Sequence, residues 1–281
     1  MVFPAFLRRG LIFWAMLGAG GGVCLPASAA EPVDVELVIA VDVSLSMSPE
    51  ELEIQRRGYA TALIDDKVIE AIKDGVYGRI AATYVEWAGQ NTQHIVVPWT
   101  IISSREDAQA FVNKLTANPP NSARRTSISG ALLFASDLLA ESEYRGTKRV
   151  VDVSGDGANN QGAPVDAVRD GVVAQGIIVN GLPLMTKGGM PSVFDIDDLD
   201  VYYANCVIGG SGAFMVPVND WSQFPEAIRR KLVLELAGSP PEGAGQAGQA
   251  VSVVKAAANP AYDCQVGEKM WRDRNWIWDN Q

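Results

Sequence analysis

The chain has 281 residues, 48% of them hydrophobic and 20% charged, with 33 acidic against 23 basic side chains. That apolar share suits one large core and excludes a disordered, collagen-like or multi-spanning membrane chain. Net negative charge repels nucleic-acid and anionic-lipid phosphates, and the single histidine, His94, excludes chemistry that needs several imidazoles.

Arg8 and Arg9, the apolar run 11–17 and the small residues 26–30 form the three zones of a secretory signal peptide. Cleavage after Ala29 or after Ala30 both retain Glu31. Either leaves 21 basic and 33 acidic groups, a net charge of −12, and no stable membrane insertion. An uncleaved anchor is the competing reading of the uncharged stretch 10–30, and a lipoprotein at Cys24 is disfavoured by the bulk of Val23 before it. A periplasmic or secreted protein meets an oxidising compartment. Cys206 and Cys264 then pair most simply as one disulfide clipping the tail to the domain, with two free thiols as the alternative.

Along the mature chain, apolar runs alternate with helical stretches. Residues 35–41 read as a buried strand ending at Asp42. Ser48, Pro49 and Glu51 make a capping box that opens a helix running to about residue 65. Strands 79–87 and 93–99 flank the turn Gly89, Gln90 and Asn91 as a hairpin, and Pro98 puts the second strand at an edge. Helices are expected over 104–115 and 126–142, the latter after the turn-rich stretch 118–122. A strand over 149–154 is stopped by Gly155, Asp156 and Gly157. Helix 164–175, strand 176–182, a short helix 195–204, a last strand 213–218 and a closing helix 221–236 complete the pattern.

Strands spaced by helices predict an α/β fold, a mostly parallel central sheet with helices on both faces and one antiparallel edge strand. The division is a signal peptide at 1–30, one domain at 31–238, and a Gly/Pro-rich linker with a Trp-rich tail at 239–281. Trp271, Trp276 and Trp278 read as packing on the domain or helping a disulfide hold the tail, with a ligand platform as the alternative.

Function in such sheets sits at the carboxyl ends of the strands. There, Asp42, Ser44 and Ser46 form an Asp-x-Ser-x-Ser sequence whose alternate residues face together. The donors are all oxygens, the set taken by a hard cation such as Mg²⁺, Mn²⁺ or Ca²⁺. Thr126 at a helix start and Asp156 after a strand add two more where the topology brings them close.

Taken together, Asp-x-Ser-x-Ser after the first strand, a later lone Thr and a Gly-Asp-Gly resemble the metal-ion-dependent adhesion site of von Willebrand factor A-type domains. The likeness spans about residues 33–237. Within that superfamily the chain is similar to a group of uncharacterised secreted bacterial proteins, through Val-Glu-Trp-Ala-Gly (85–89), Val-Asp-Val-Ser-Gly-Asp-Gly-Ala-Asn-Asn (151–160), Val-Ile-Gly-Gly (207–210) and Arg-Arg-Lys-Leu (229–232). The resemblance implies a Rossmann-like sheet. It implies Ser44 and Ser46 as direct hydroxyl ligands, Thr126 as a ligand engaged on activation, and Asp42 and Asp156 as carboxylates acting directly or through water. It also implies a protein partner that offers an Asp or Glu carboxylate to a cation, Mg²⁺ first. Leu45 departs from the glycine common at that position, and the tail from Gly238 lies outside the likeness.

Other readings remain beside it. Asp195, Asp197, Asp198 and Asp200 form an acidic run without calcium-loop spacing, read as a solvated face. Asn159 and Asn160 read as turn residues or as ligand contacts. No Gly-x-Ser-x-Gly elbow, Walker A loop, His-Glu-x-x-His or Cys-x-x-Cys pair is present, nor a Rossmann glycine fingerprint that joins a strand to a helix, and His94 reads as a half-exposed strand residue rather than a base. The expectation is a binding module and not an enzyme. The alternatives are an envelope assembly factor whose metal only staples the fold, or a metal-dependent hydrolase built on Asp42 and Asp156.

Overall fold

A computed structural model describes residues 30–186, 195–237, 252–256 and 262–279, with the backbone alone for 274–279. The signal-peptide reading, most of the linker and the side chains of Trp276 and Trp278 lie outside the described residues. The strands are β1 (Glu31–Asp42), β2 (Ile80–Trp87), β3 (Gln93–Ile102), β4 (Tyr144–Gly155), β5 (Ile177–Pro183), β6 (Phe214–Met215) and β7 (Val254–Lys255). They form one sheet in the order β3-β2-β1-β4-β5-β6-β7.

Burial of β1 on both faces follows from its central place. Val35, Leu37, Ile39 and Val41 point into one core and Val38 and Ala40 into the other, the period-two alternation of a strand covered on each side. The helices are α1 (Pro49–Leu63), α2 (Asp66–Lys73), α3 (Arg105–Leu115), α4 (Ile128–Ala140), α5 (Val165–Ala174), α6 (Leu199–Tyr202), α7 (Phe224–Ala237) and α8 (Val266–Asp279). The first core takes α1, α2, α3 and α7, and the second takes α4, α5 and α6. Tyr59 of α1 meets Tyr84 edge-on at 5.6 Å and Phe224 at 6.1 Å, contacts worth about 0.5–1.5 kcal/mol each beyond their buried area.

The α/β class stands: β1 pairs in parallel with β2 and β4, and β5 with β4 and β6, while β3 runs antiparallel at the edge. The capping box at Ser48 and Glu51 is present, each partner bonding the other's backbone N–H. Several elements differ from expectation. The first helix ends at Leu63 and a separate α2 follows, capped by the Asp65 carboxylate on the Lys67 N–H. The last parallel strand is only Phe214–Met215. Val216 and Val218 still donate to the Gly181 and Pro183 carbonyls, but Pro183 of β5 has no N–H to return a bond to the Val216 carbonyl, which interrupts the ladder. The expected helix over 195–204 begins later, at Leu199, and runs on as a π-helical turn through Val207. From the tail, β7 adds a short antiparallel strand beside β6.

Between the sheet and α7 lies a buried charge cluster. Lys231, fully buried, forms ion pairs with Asp152 and Glu235, and Glu235 accepts from Asn180 Nδ2 at 3.0 Å. Two carboxylates thus share one ammonium. Burial, offset in part by Lys231, pushes the Glu235 carboxyl up to about 7. A raised folded-state value means the folded protein keeps a proton that the unfolded chain has released, so this group costs stability as pH rises from about 4.5 to about 7. Glu235→Gln, which retains an acceptor for Lys231 and Asn180, should flatten the melting temperature between pH 5 and 8 and raise it at pH 8 by about 5 °C. Thermal melts across that range test it; a curve parallel to the parent's contradicts it.

Candidate metal centre

The chain turns from β1 toward β2 and β3 on one side and returns through β4 to β6 on the other, so the crevice at the carboxyl ends of β1 and β4 is the topological switch point. Val41 pairs with Ser154 in register. Asp42 therefore ends one strand beside Asp156, the first residue after the other.

Asp42 is fully buried. Its Oδ1 accepts the Ser44 N–H at 2.7 Å, a local turn that an Asx side chain favours. Ser44 Oγ lies 2.9 Å from Ser46 Oγ, and Ser46 Oγ donates to Asp156 Oδ1 at 2.9 Å. Four of the five residues singled out in the sequence thus form one string of contacts. Leu45 points outward, 51% exposed, so replacing glycine there leaves the inward hydroxyls undisturbed.

Thr126 joins the group through its loop. Ala123 donates to the Val43 carbonyl at 3.0 Å and bridges Ser44, and the Ser127 N–H bonds the Ala88 carbonyl at 2.7 Å. Thr126 exchanges two bonds with Asn160: its N–H reaches Asn160 Oδ1 at 3.0 Å and its carbonyl accepts the Asn160 N–H at 2.9 Å. Those bonds hold residue 126 outside the helix, so α4 starts at Ile128 with Ser127 as its cap. Asn159 Oδ1 accepts the Ser129 N–H at 3.0 Å. The two asparagines are staples between the Thr126 and Asp156 loops. Among the described residues the Thr126 hydroxyl makes no hydrogen bond to the other four.

Two further side chains underlie this arrangement and were not foreseen. Gln55 of α1, 1% exposed, donates to the Asp42 carbonyl at 2.9 Å and accepts from Ser154 Oγ at 3.3 Å, tying the ends of β1 and β4 together. Its signal was available: Leu52, Gln55 and Tyr59 share the buried stripe of α1, and a polar residue in such a stripe needs partners. Tyr203, in the π-helical turn, has a buried hydroxyl, and like Asp42 Oδ2 that oxygen has no hydrogen-bond partner among the described residues. A side chain at Gly155 would place its Cβ 2.9 Å from each of these two oxygens, so only glycine leaves that space.

The electrostatics are those of two carboxylates crowded out of water. Burial, then the neighbouring Asp156 charge, raises the Asp42 carboxyl well above the usual range. Burial raises Asp156 to about 6, against the opposing Ser46 hydrogen bond. Burial and the Asp42 charge likewise raise the Tyr203 phenol. Among the described residues no group of three or more His, Cys, Asp or Glu converges, so an ion here would depend on hydroxyl donors. The all-oxygen set, the orphaned Asp42 Oδ2 and the destabilised carboxylate charges all fit a hard divalent cation.

The sheet order and helix placement are those of a von Willebrand factor A fold. Among solved structures the chain is similar to the mussel byssus proximal thread matrix protein 1 with a zinc-occupied MIDAS motif (TM-score 0.50, 16% identity, covering 74% of this chain and 48% of that one). It is also similar to the pilus adhesin SpaC from Lactobacillus rhamnosus GG (0.51, 12%, covering 73% and 31%), and to a von Willebrand factor type A structure from Catenulispora acidiphila (0.47, 15%, covering 73% and 43%). At these identities the likeness is one of fold, and the chain spans half or less of the length of each. No curated protein matches the sequence. Residues 32–240, which hold strands β1 to β6 and the helices through α7, match the family described as "Protein of unknown function (DUF1194)", and the chain belongs to that family.

Proposed function

We propose that the chain is an exported binding module that engages a protein partner through a divalent cation, Mg²⁺ first among candidates, held by Asp42, Ser44, Ser46, Thr126 and Asp156. The observation that carries the reading is the string Ser44–Ser46–Asp156 beside the fully buried Asp42, whose Oδ2 has no partner among the described residues. Neutral hydroxyls dominate this donor set and two carboxylates at most offset a dication. When bound, the ion supplies an electrophilic position for an anionic oxygen, and the side chain that suits it is an Asp or Glu of a partner. The zinc-occupied MIDAS of the mussel protein and the adhesin role of SpaC support the reading.

Binding rather than catalysis fits the remaining residues. His94 lies exposed on β3 at the sheet edge, two strands from Asp42, so it is not placed as a base for the site. Export is supported by the Cys206–Cys264 disulfide, with Cα atoms 5.5 Å apart, a linkage that persists in oxidising compartments. Among the described residues no helix is long and apolar enough to cross a membrane.

The test is capture from an envelope fraction with immobilised protein, in Mg²⁺ and in chelator, with circular dichroism on both samples. Metal-dependent capture by a protein that stays folded in chelator supports the proposal. Capture that ignores the chelator refutes it, and unfolding on chelation would give the ion a merely structural role.

A further inference from the structure

The tail returns to the metal centre. Cys264 is bonded to Cys206 in the π-helical turn, and the Tyr262 hydroxyl donates to Asp198 Oδ2 at 2.9 Å. From that root α8 runs across the two loops that carry Thr126 and Asp156. A Cβ on Gly267 would stand 2.2 Å from the Asn159 carbonyl oxygen, so only glycine allows the helix this close. Glu268 Oε1 accepts from Asn159 Nδ2 at 2.7 Å. One turn further on, the Arg125 guanidinium lies 3.3 Å from the centre of the Trp271 ring, a cation–π contact. Positions 267, 268 and 271 share a helix face, and what that face touches is the residue before Thr126 and the third residue after Asp156.

Arg125 is also the one non-glycine with positive φ among the described residues, at 79°. Such a conformation is disfavoured for a residue with a Cβ and persists only where surrounding contacts impose it. The stacked Trp271 is one such contact, and the Asn160–Thr126 bonds hold the next residue. Neither Gly267 nor Trp271 belongs to the donor set, and neither is needed to close the sheet or either core.

Resting on the metal reading above, we propose that α8 is a disulfide-tethered strap whose docking on Arg125 and Asn159 holds the Thr126 and Asp156 loops in their cation-binding arrangement, so that undocking it weakens the site. Trp271, Glu268 and Gly267 are then positioning residues, acting on the ligands through the residues beside them.

The experiment uses the full mature chain and Mn²⁺ as probe. Gly267→Val and Trp271→Ala should each raise the Mn²⁺ dissociation constant about tenfold, the size of effect seen when support of a metal ligand is lost. In metal-free protein both should speed amide exchange over residues 123–130 and 156–160 while leaving β1 and β4 protected. Trp271→Phe keeps a ring for Arg125 and should retain near-parent affinity, whereas Trp271→Leu, which fills space without a ring, should not. Unchanged or tighter Mn²⁺ binding by folded Gly267→Val and Trp271→Ala overturns the strap while leaving the metal reading intact. If the parent itself takes up no Mn²⁺, the metal reading fails and the strap with it. Should either substitution prevent folding, the other and the loop-exchange comparison decide.

Discussion

Asp42→Asn should abolish Mg²⁺ and Mn²⁺ binding while making the metal-free protein more stable. The substitution is nearly isosteric and keeps an Oδ1 acceptor for the Ser44 N–H, so the turn after β1 survives. It removes a charge that is fully buried and faces Asp156. With metal, that charge is half of the site's anionic complement, and its loss should weaken binding at least about a hundredfold, beyond the 10–100-fold range of second-layer changes. Without metal, the same charge is a liability. Asp42 and Asp156 both have raised folded-state values, Asp156 to about 6. The metal-free protein therefore loses stability as pH rises from about 4 through 6, and a cation should stabilise it more at pH 7 than at pH 5. Titration calorimetry and melting in chelator check the two halves separately. Parent-like affinity in the variant would remove Asp42 from the ligand set.

A large loss of stability is expected from Glu86→Ala. Glu86 of β2, 1% exposed, forms an ion pair with Arg56 of α1, itself 3% exposed. Its other oxygen accepts both the backbone N–H and the side-chain amide of Asn121, at 3.0 and 2.7 Å, while Arg56 also donates to the Asn118 carbonyl. Removing the carboxylate strands a buried guanidinium, which costs about 3–5 kcal/mol. It also frees the loop that continues through Ala123, where it bridges Ser44, to Thr126. Urea unfolding should show the midpoint falling by the equivalent of that cost. A shift under about 1 kcal/mol would mean that water replaces the partner without difficulty.

How far the sequence carries such an account depends on whether the determining contacts are local. The apolar run of β1, the Ser48 capping box and the hairpin around Gly89 are each decided by neighbours in the chain, and each is found where expected. The Asp-x-Ser-x-Ser string was legible for the same reason: alternation in an extended segment leaving β1 puts its oxygens together. α2 was locally legible too, with Asp65 as cap and Val68, Ile69 and Ile72 on one face, but the charged stretch around it hid a helix of only eight residues. What the sequence could not show was long-range. Tyr203 reads as one more core aromatic until the sheet places it beneath Asp42 and Gly155. Asn159 and Asn160 read as turn formers or ligand contacts until their side chains are seen bonding Ser129 and Thr126. The tail illustrates it best, since nothing in the spacing of Gly267 and Trp271 says that they rest on Asn159 and Arg125.

The central claim is that one ion sits among the Asp42, Ser44, Ser46, Thr126 and Asp156 oxygens, and the most direct measurement is anomalous X-ray scattering from crystals soaked in Mn²⁺. A single strong anomalous peak within bonding distance of Ser44 Oγ, Ser46 Oγ and an Asp156 or Asp42 carboxylate oxygen is the expected result. A peak elsewhere with this crevice empty, or no peak at saturating Mn²⁺, would contradict it.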